Sequence, residues 1–182
     1  FNIKLHIDGA RIFNASVKLN VSVEKLASES DSVSFCLSKG LSCPSGSLIA
    51  GKQSFINKAR RLRKALGGGM RQAGILAAAG IYALDNMVER LAEDHLNAKI
   101  LGNELKTISG IKIDPDKIST NLIFFHLENT NLSDENFNNQ LLRNKINIDY
   151  KGNHKFRIAT HSGFTNNNIE KVIKTIKLIL SK

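Results

Sequence analysis

Two short apolar runs, each stopped by a chemically loaded residue, set the terms for this chain. Ile3, Leu5 and Ile7 alternate with Lys4 and His6 and stop at Asp8-Gly9-Ala10-Arg11, while Ser34-Phe35-Cys36-Leu37 stops at Ser38-Lys39-Gly40-Leu41. Period-two alternation and a short continuous apolar run both read as strands. Between them, residues 12–19 are loosely helical, and Ser22 is a candidate cap for a second helical piece. Strand, helical connection and strand make a βαβ unit, whose right-handed crossover leaves both strand ends on one edge of a parallel sheet. Ligands of such sheets bind at that carboxyl edge. Asp8 and Lys39 are therefore expected to face one crevice.

After a turn over 38–45 that contains Gly40 and Pro44, residues 46–51 read as another strand. The connection is too short for a crossover helix, so this strand should run antiparallel to the one before it. Residues 52–66 form an amphipathic helix with Phe55, Ile56, Ala59, Leu62 and Leu66 on one face, ended by Gly67-Gly68-Gly69. Three successive glycines imply positive φ angles or close approach of a ligand or subunit. Residues 73–84 are rich in alanine, and helical periodicity continues through Met87, Leu91, His95, Leu101 and Leu105, with a break near Asp85-Asn86. From residue 110 the texture changes: strands are expected over 111–113, 121–127, 146–148 and 155–160, a Ser133-capped helix to about 144, and a final amphipathic helix over 165–180. The chain thus divides into an α/β part over 1–85 with a mixed, mostly parallel sheet, a connecting helix over 86–109, and a small C-terminal α+β domain over 110–182.

Lys and Arg number 26 against 16 Asp and Glu, a formal charge of +10, which first suggests nucleic acid. Against that, aromatics are only 6%, tryptophan is absent, and the basic residues are spread out apart from Arg60-Arg61-Leu62-Arg63-Lys64. A solvated helix face explains that cluster equally well. A basic nucleic-acid-binding or interaction module on residues 52–71 is therefore the rival from another class, and it leaves Asp8 and Lys39 unexplained. The two cysteines, Cys36 and Cys43, give no disulfide framework and suit a reducing cytoplasm; Cys36 is expected buried. No apolar run reaches transmembrane length, nothing resembles a signal peptide, and no Walker or GxGxxG motif occurs. The histidines lack the spacing of a metal set. The sequence starts at Phe1, directly ahead of a strand, as expected of a piece of a longer chain.

An amine beside a carboxylate is what a pyridoxal phosphate site requires, the amine for a covalent bond and the carboxylate for the ring nitrogen. By position alone, Asp8 could instead cap a helix or pair with Arg11, and Lys39 could be an ordinary solvated lysine. The apolar strand before Lys39 and the close approach permitted by Gly40 weigh the other way. Arg157, near His154 and His161, could clamp a carboxylate or be a rim charge. Arg71 could hold a phosphate or cap a helix end.

His6-Ile7-Asp8-Gly9-Ala10-Arg11-Ile12-Phe13-Asn14-Ala15, Ser34-Phe35-Cys36-Leu37-Ser38-Lys39-Gly40-Leu41, Gly46-Ser47-Leu48, and the stretch from Arg61-Leu62-Arg63-Lys64 through Gly67-Gly68-Gly69-Met70-Arg71-Gln72-Ala73-Gly74-Ile75-Leu76-Ala77-Ala78-Ala79-Gly80 together resemble the low-specificity L-threonine aldolases. These are pyridoxal phosphate enzymes of the aspartate-aminotransferase-like fold. The resemblance runs through the whole chain and covers the later half of such an enzyme. It implies that 1–85 is part of a cofactor-binding large domain, that Lys39 is the catalytic residue and covalent anchor, and that Asp8 pairs with the ring nitrogen. Arg11 would approach the cofactor's 3-oxygen or the substrate, and Arg71 the cofactor phosphate, across a subunit boundary. Arg157, in Phe156-Arg157-Ile158-Ala159-Thr160-His161, would bind the amino-acid carboxylate, and Lys64 matches the family's lysine ahead of the glycine run.

The implied activity is aldol cleavage of L-threonine and L-allo-threonine to glycine and acetaldehyde. It would belong to a cytoplasmic homo-oligomer, dimer or tetramer, with a small-molecule substrate, no metal, and neither nucleic acid nor membrane as partner. The isolated half would be inactive. A β-eliminating lyase of the same fold is the near alternative. The family's Ser-Lys-Gly-Leu-Gly-x-Pro-x-Gly pattern is broken at one place, where Ser42 stands for glycine. The ring that stacks on the cofactor and the glycine-threonine loop that cups its phosphate would lie upstream of Phe1.

Overall fold

In the computed structural model, which describes residues 3–181, the alternating run ahead of Asp8 becomes a strand of three residues, β1 (His6–Asp8). It is followed by helices α1 (Ile12–Leu19) and α2 (Val23–Ala27) and strand β2 (Ser32–Cys36). The Ser22 hydroxyl accepts the Lys25 N–H at 3.2 Å, so the expected cap is made. β1 and β2 pair in parallel with Asp8 opposite Ser34. Strand β3 (Ser47–Gly51) pairs antiparallel to β2, with Cys36 opposite Ser47, as the short connection demands.

The chain divides into two compact units between Ala92 and Glu93. The core of the first gathers Leu37, Leu41, Cys43, Ala83 and Leu91, with Phe13 and Phe35 meeting edge to face at 5.3 Å. Helix α3 (Gln53–Ala65) departs from expectation. Its apolar stripe is real, but none of its side chains is buried in this chain, and Leu62 and Leu66 are 62% and 85% exposed. Periodicity reports which face of a helix is apolar, not whether a neighbour within the same chain covers it. Helix α4 (Gly74–Asn86) likewise buries only Gly80 and Ala83.

Helix α5 (Leu91–Lys106) follows a break at residues 87–90 and, apart from its first two residues, belongs to the second unit. The expected connecting helix over 86–109 is therefore shorter, and most of it packs with the C-terminal elements. These are β4 (Ile111–Lys112), a 3-10 turn (Pro115–Lys117), β5 (Leu122–Leu127), α6 (Asp134–Arg143), β6 (Asp149–Tyr150), β7 (Lys155–Ala159) and α7 (Asn166–Leu180). The sheet order is β4-β5-β7-β6, antiparallel throughout. Along β5, Ile123, Phe125 and Leu127 face inward while Phe124 and His126 are exposed, the alternation of a sheet covered on one face. Phe125, Phe137 and Phe156 form a fully buried aromatic cluster.

One expected strand is displaced. Residues 146–148 are unpaired, and the strand lies at Asp149–Tyr150. Ile146 and Ile148 are nonetheless buried, which is why they alternate with Asn147 in the sequence. Among the described residues no helix is long and apolar enough to cross a membrane.

Candidate active site

The edge expected to carry chemistry is built by backbone bonds that outrun the strands. The Gly9 N–H donates to the Ser34 carbonyl at 2.8 Å, extending the ladder one residue past Asp8. A β-carbon at Gly9 would stand 2.9 Å from that carbonyl oxygen, so glycine is what lets the two chains run together to their carboxyl ends. The Ile12 N–H then bonds the Gly9 carbonyl, turning the chain into α1 with a half-buried Arg11 at its N-cap.

On the neighbouring strand, the Leu37 N–H donates to Gly46 and the Cys43 N–H donates to Leu37, closing the loop on itself. Within it the Ser42 N–H donates to the Lys39 carbonyl at 2.9 Å, so Lys39 opens a tight turn. Ser42 completes that turn at φ +61°, the left-handed region that favours glycine. The position where the family has glycine and this chain has serine is therefore one where glycine's freedom counts.

Lys39 lies beside Cys36, and Asp8 is near enough to act on the thiol electrostatically. The Ser47 hydroxyl donates to Cys36 Sγ at 3.5 Å and is the main influence holding the thiol below its ordinary pKa, with partial burial opposing it. The Lys39 ammonium, within hydrogen-bonding reach of the same sulfur, lowers it further, and the Asp8 carboxylate is near enough to raise it. An amine, a carboxylate and a thiol thus share one end of the parallel pair. That set fits a pyridoxal phosphate in the chemistry of its donors: the amine to bond the aldehyde carbon and the carboxylate to face the ring nitrogen.

Two expectations need correcting. Asp8 and Lys39 are solvent-exposed, so this unit does not supply the burial expected at an internal strand edge. Cys36 is half-buried, and it is Cys43 that is buried, its thiol donating to the Ala79 carbonyl at 3.4 Å.

Arg71 lies on an exposed loop between α3 and α4, next to Gln72 at φ +51°. Lys64 is exposed near the end of α3. Arg157 belongs to the second unit, on β7 opposite Asp149 of β6. It lines a cleft of about 670 Å³ together with Lys145, Tyr150, His161 and Lys171, and its Nη2 lies 2.5 Å from Asp149 Oδ2. His154 is not among the cleft's lining residues; its ring and backbone nitrogens bond Asp134.

Sequence reasoning missed Cys36 as a neighbour of Lys39 and Asp149 as the partner of Arg157. The second was within reach: a hairpin placed two residues later would have set Asp149 across from Arg157. Among the described residues no group of His, Cys, Asp and Glu could hold a metal ion.

Comparison with known proteins bears on this arrangement. A family model described as beta-eliminating lyase matches residues 1–128. Low-specificity L-threonine aldolase 1 of Arabidopsis thaliana is 45% identical over 168 residues, covering 92% of this chain and 47% of the relative. The low specificity L-threonine aldolase of Escherichia coli (strain K12) is 48% identical over 130 residues, 71% of this chain and 38% of the relative. The chain thus spans about half the length of the curated relatives it matches. Among solved structures, the threonine aldolase of Leishmania major superposes with a TM-score of 0.70 at 20% identity, over 98% of this chain and 52% of that one. The alanine–glyoxylate aminotransferase of a Nostoc species superposes with a TM-score of 0.70 at 16% identity, over 97% of this chain and 54% of that one. At those identities the likeness is one of fold.

Proposed function

The chain belongs to the beta-eliminating lyase family, and from that premise we propose that it is part of a pyridoxal phosphate-dependent aldehyde lyase cleaving L-threonine and L-allo-threonine to glycine and acetaldehyde. The observation that carries the reading is the parallel pairing of β1 and β2, which puts Asp8 at the end of one strand and Lys39 three residues past the end of the other, on the same sheet edge. The names of the curated relatives support the choice of substrate.

Bound pyridoxal phosphate would supply an electron sink for the negative charge left at the substrate's Cα when the Cα–Cβ bond breaks. Lys39 would be the residue that holds the cofactor, through its side-chain amine. Asp8 would present the negative charge that favours a protonated ring nitrogen. Arg11, three residues on at the start of α1, offers a guanidinium to the cofactor's 3-oxygen or to the substrate. Arg71 would hold the cofactor phosphate, and Arg157 would bind the amino-acid carboxylate through its donor fork.

The working form is a homo-oligomer, dimer or tetramer. Leu62, Leu66, Met70, Ile75 and Tyr82 are all more than 60% exposed, an extent of apolar surface that marks interaction sites. Two free thiols suit a reducing compartment, and we assign the enzyme to the cytoplasm. The chain alone is expected to be inactive.

The test is made on the complete protein loaded with cofactor. The Schiff-base absorbance should vanish in Lys39→Ala and persist in Lys174→Ala, an exposed lysine of α7. Absorbance unchanged in Lys39→Ala would overturn the assignment. Supplied with L-threonine, the enzyme should release acetaldehyde and glycine; ammonia with a 2-oxo acid would indicate a β-eliminating lyase instead.

A further inference from the structure

Arg157 does not meet the cleft of the second unit unaccompanied. Asp149 stands opposite it in the β6–β7 register, and its Oδ2 lies 2.5 Å from Arg157 Nη2 and 2.6 Å from Lys151 Nζ. One carboxylate oxygen is thus shared by two cations. The Lys151 ammonium, opposed by partial burial and aided by Arg157, holds the Asp149 carboxyl below its ordinary pKa, so Asp149 is charged at neutral pH. Among the described residues it is also the only acidic one lining the cleft, against Lys145, Arg157 and Lys171. An acid placed at the arginine of an otherwise cationic cleft calls for a reason.

A guanidinium offers five donors in a fixed fork on a long, rotamer-rich side chain. Asp149 engages that fork at Nη2. Because Lys151 shares the same oxygen, Asp149 only partly neutralises the guanidinium. The arginine is held in place and remains attractive to an incoming anion, its rotamer freedom already spent before a ligand arrives.

We infer that Asp149 is a positioning residue for carboxylate recognition: balanced by Lys151, it holds the Arg157 guanidinium at the cleft so that a substrate carboxylate docks on the donors left open. The inference rests on Arg157 being the carboxylate-binding residue and deepens that reading. The contrary arrangement has Asp149 occupying Arg157 as a competitor that the substrate must displace. The two arrangements predict opposite effects of removing its charge.

The experiment compares the dissociation constants of glycine and glycinamide on the complete, cofactor-loaded protein, so that their ratio isolates the carboxylate's contribution. In Asp149→Asn the preference for glycine should shrink by about 10-fold, as expected when a binding group loses its fixed geometry. KM for L-threonine should rise by a similar factor while kcat falls much less, and Asp149→Glu should recover part of the preference. An unchanged or increased preference in Asp149→Asn overturns the role of Asp149. Arg157→Gln separates the two claims: if it leaves the preference intact, the assignment of Arg157 itself fails, and if it abolishes the preference while Asp149→Asn does not, only the positioning role fails.

Discussion

Gly40 is pressed against Leu91: a β-carbon on Gly40 would stand 2.7 Å from Leu91 Cδ2 and 3.2 Å from the side-chain oxygen of Asn14. Gly40, Leu91 and Asn14 are all buried, so neither neighbour can swing into solvent. The residue after Lys39 is thereby clamped between α1 and the start of α5. Gly40→Ala should cost about 1–3 kcal/mol through overpacking and should move the Lys39 backbone outward. A lower denaturant midpoint together with weakened cofactor absorbance is the expected pair of results; an unshifted midpoint would show that the site yields easily.

Ser42 bears the opposite kind of strain, in its backbone rather than its packing. A left-handed conformation costs a non-glycine residue about 1–2 kcal/mol. Glycine avoids that cost but gives up about 0.5–1 kcal/mol in unfolded-chain entropy. Ser42→Gly is therefore expected to leave stability unchanged or raise it by up to about 1.5 kcal/mol, while Ser42→Val, β-branched at φ +61°, lowers it. Thermal midpoints of the two variants, measured side by side, decide the matter.

The placement of Lys39 and Asp8 around Cys36 can be read from the thiol itself. Lys39 helps to hold the thiol's pKa down and Asp8 pushes it up. The midpoint of the pH–alkylation profile of Cys36 should accordingly rise in Lys39→Ala and fall in Asp8→Asn. Opposite shifts are required, and shifts of the same sign, or none, would mean that the two side chains do not share this end of the sheet.

Much of this fold was legible because local chemistry and tertiary position agree. Helix α1 at Ile12–Leu19, the Ser22 and Ser133 caps and the antiparallel β3 all follow from spacing, hydroxyl placement and connection length. What spacing could not supply was context. The stripe on α3 is correctly apolar yet open in this chain, and Ile146 and Ile148 are correctly buried yet not paired in a strand. At the site, the parallel pairing that sets the ends of β1 and β2 on one sheet edge was readable from the two apolar runs and the helical connection between them. The partnership of Asp149 and Arg157 was hidden by a shift in strand position, since which residues face each other across a ladder depends on register. Cys36 was hidden for a different reason: an apolar neighbour pattern makes any cysteine look like core.

Asp134 ties the β6–β7 hairpin, which carries both Asp149 and Arg157, to the start of α6. Its carboxylate accepts the Tyr150 hydroxyl at 2.7 Å, the His154 N–H at 3.1 Å and pairs with His154 Nδ1 at 2.8 Å. Burial pushes the Asp134 carboxyl up, but the bonds from Tyr150 and His154 together outweigh it and hold the group below its usual value. The same carboxylate raises the pKa of the Tyr150 hydroxyl that donates to it. A depressed carboxyl contributes stability that is complete above its unfolded pKa of about 3.9 and is lost as pH falls through the folded value. A raised phenol contributes stability that is complete below its unfolded pKa of about 10 and is lost as pH climbs through the folded value. Asp134→Asn should therefore destabilise the second unit near neutrality by about 1 kcal/mol, with the gap from the unaltered protein narrowing below about pH 4 and above about pH 10. Denaturant unfolding across that range, followed by tyrosine fluorescence, measures the gap directly; a constant difference at all pH values would mean that packing rather than the charge of Asp134 holds the hairpin.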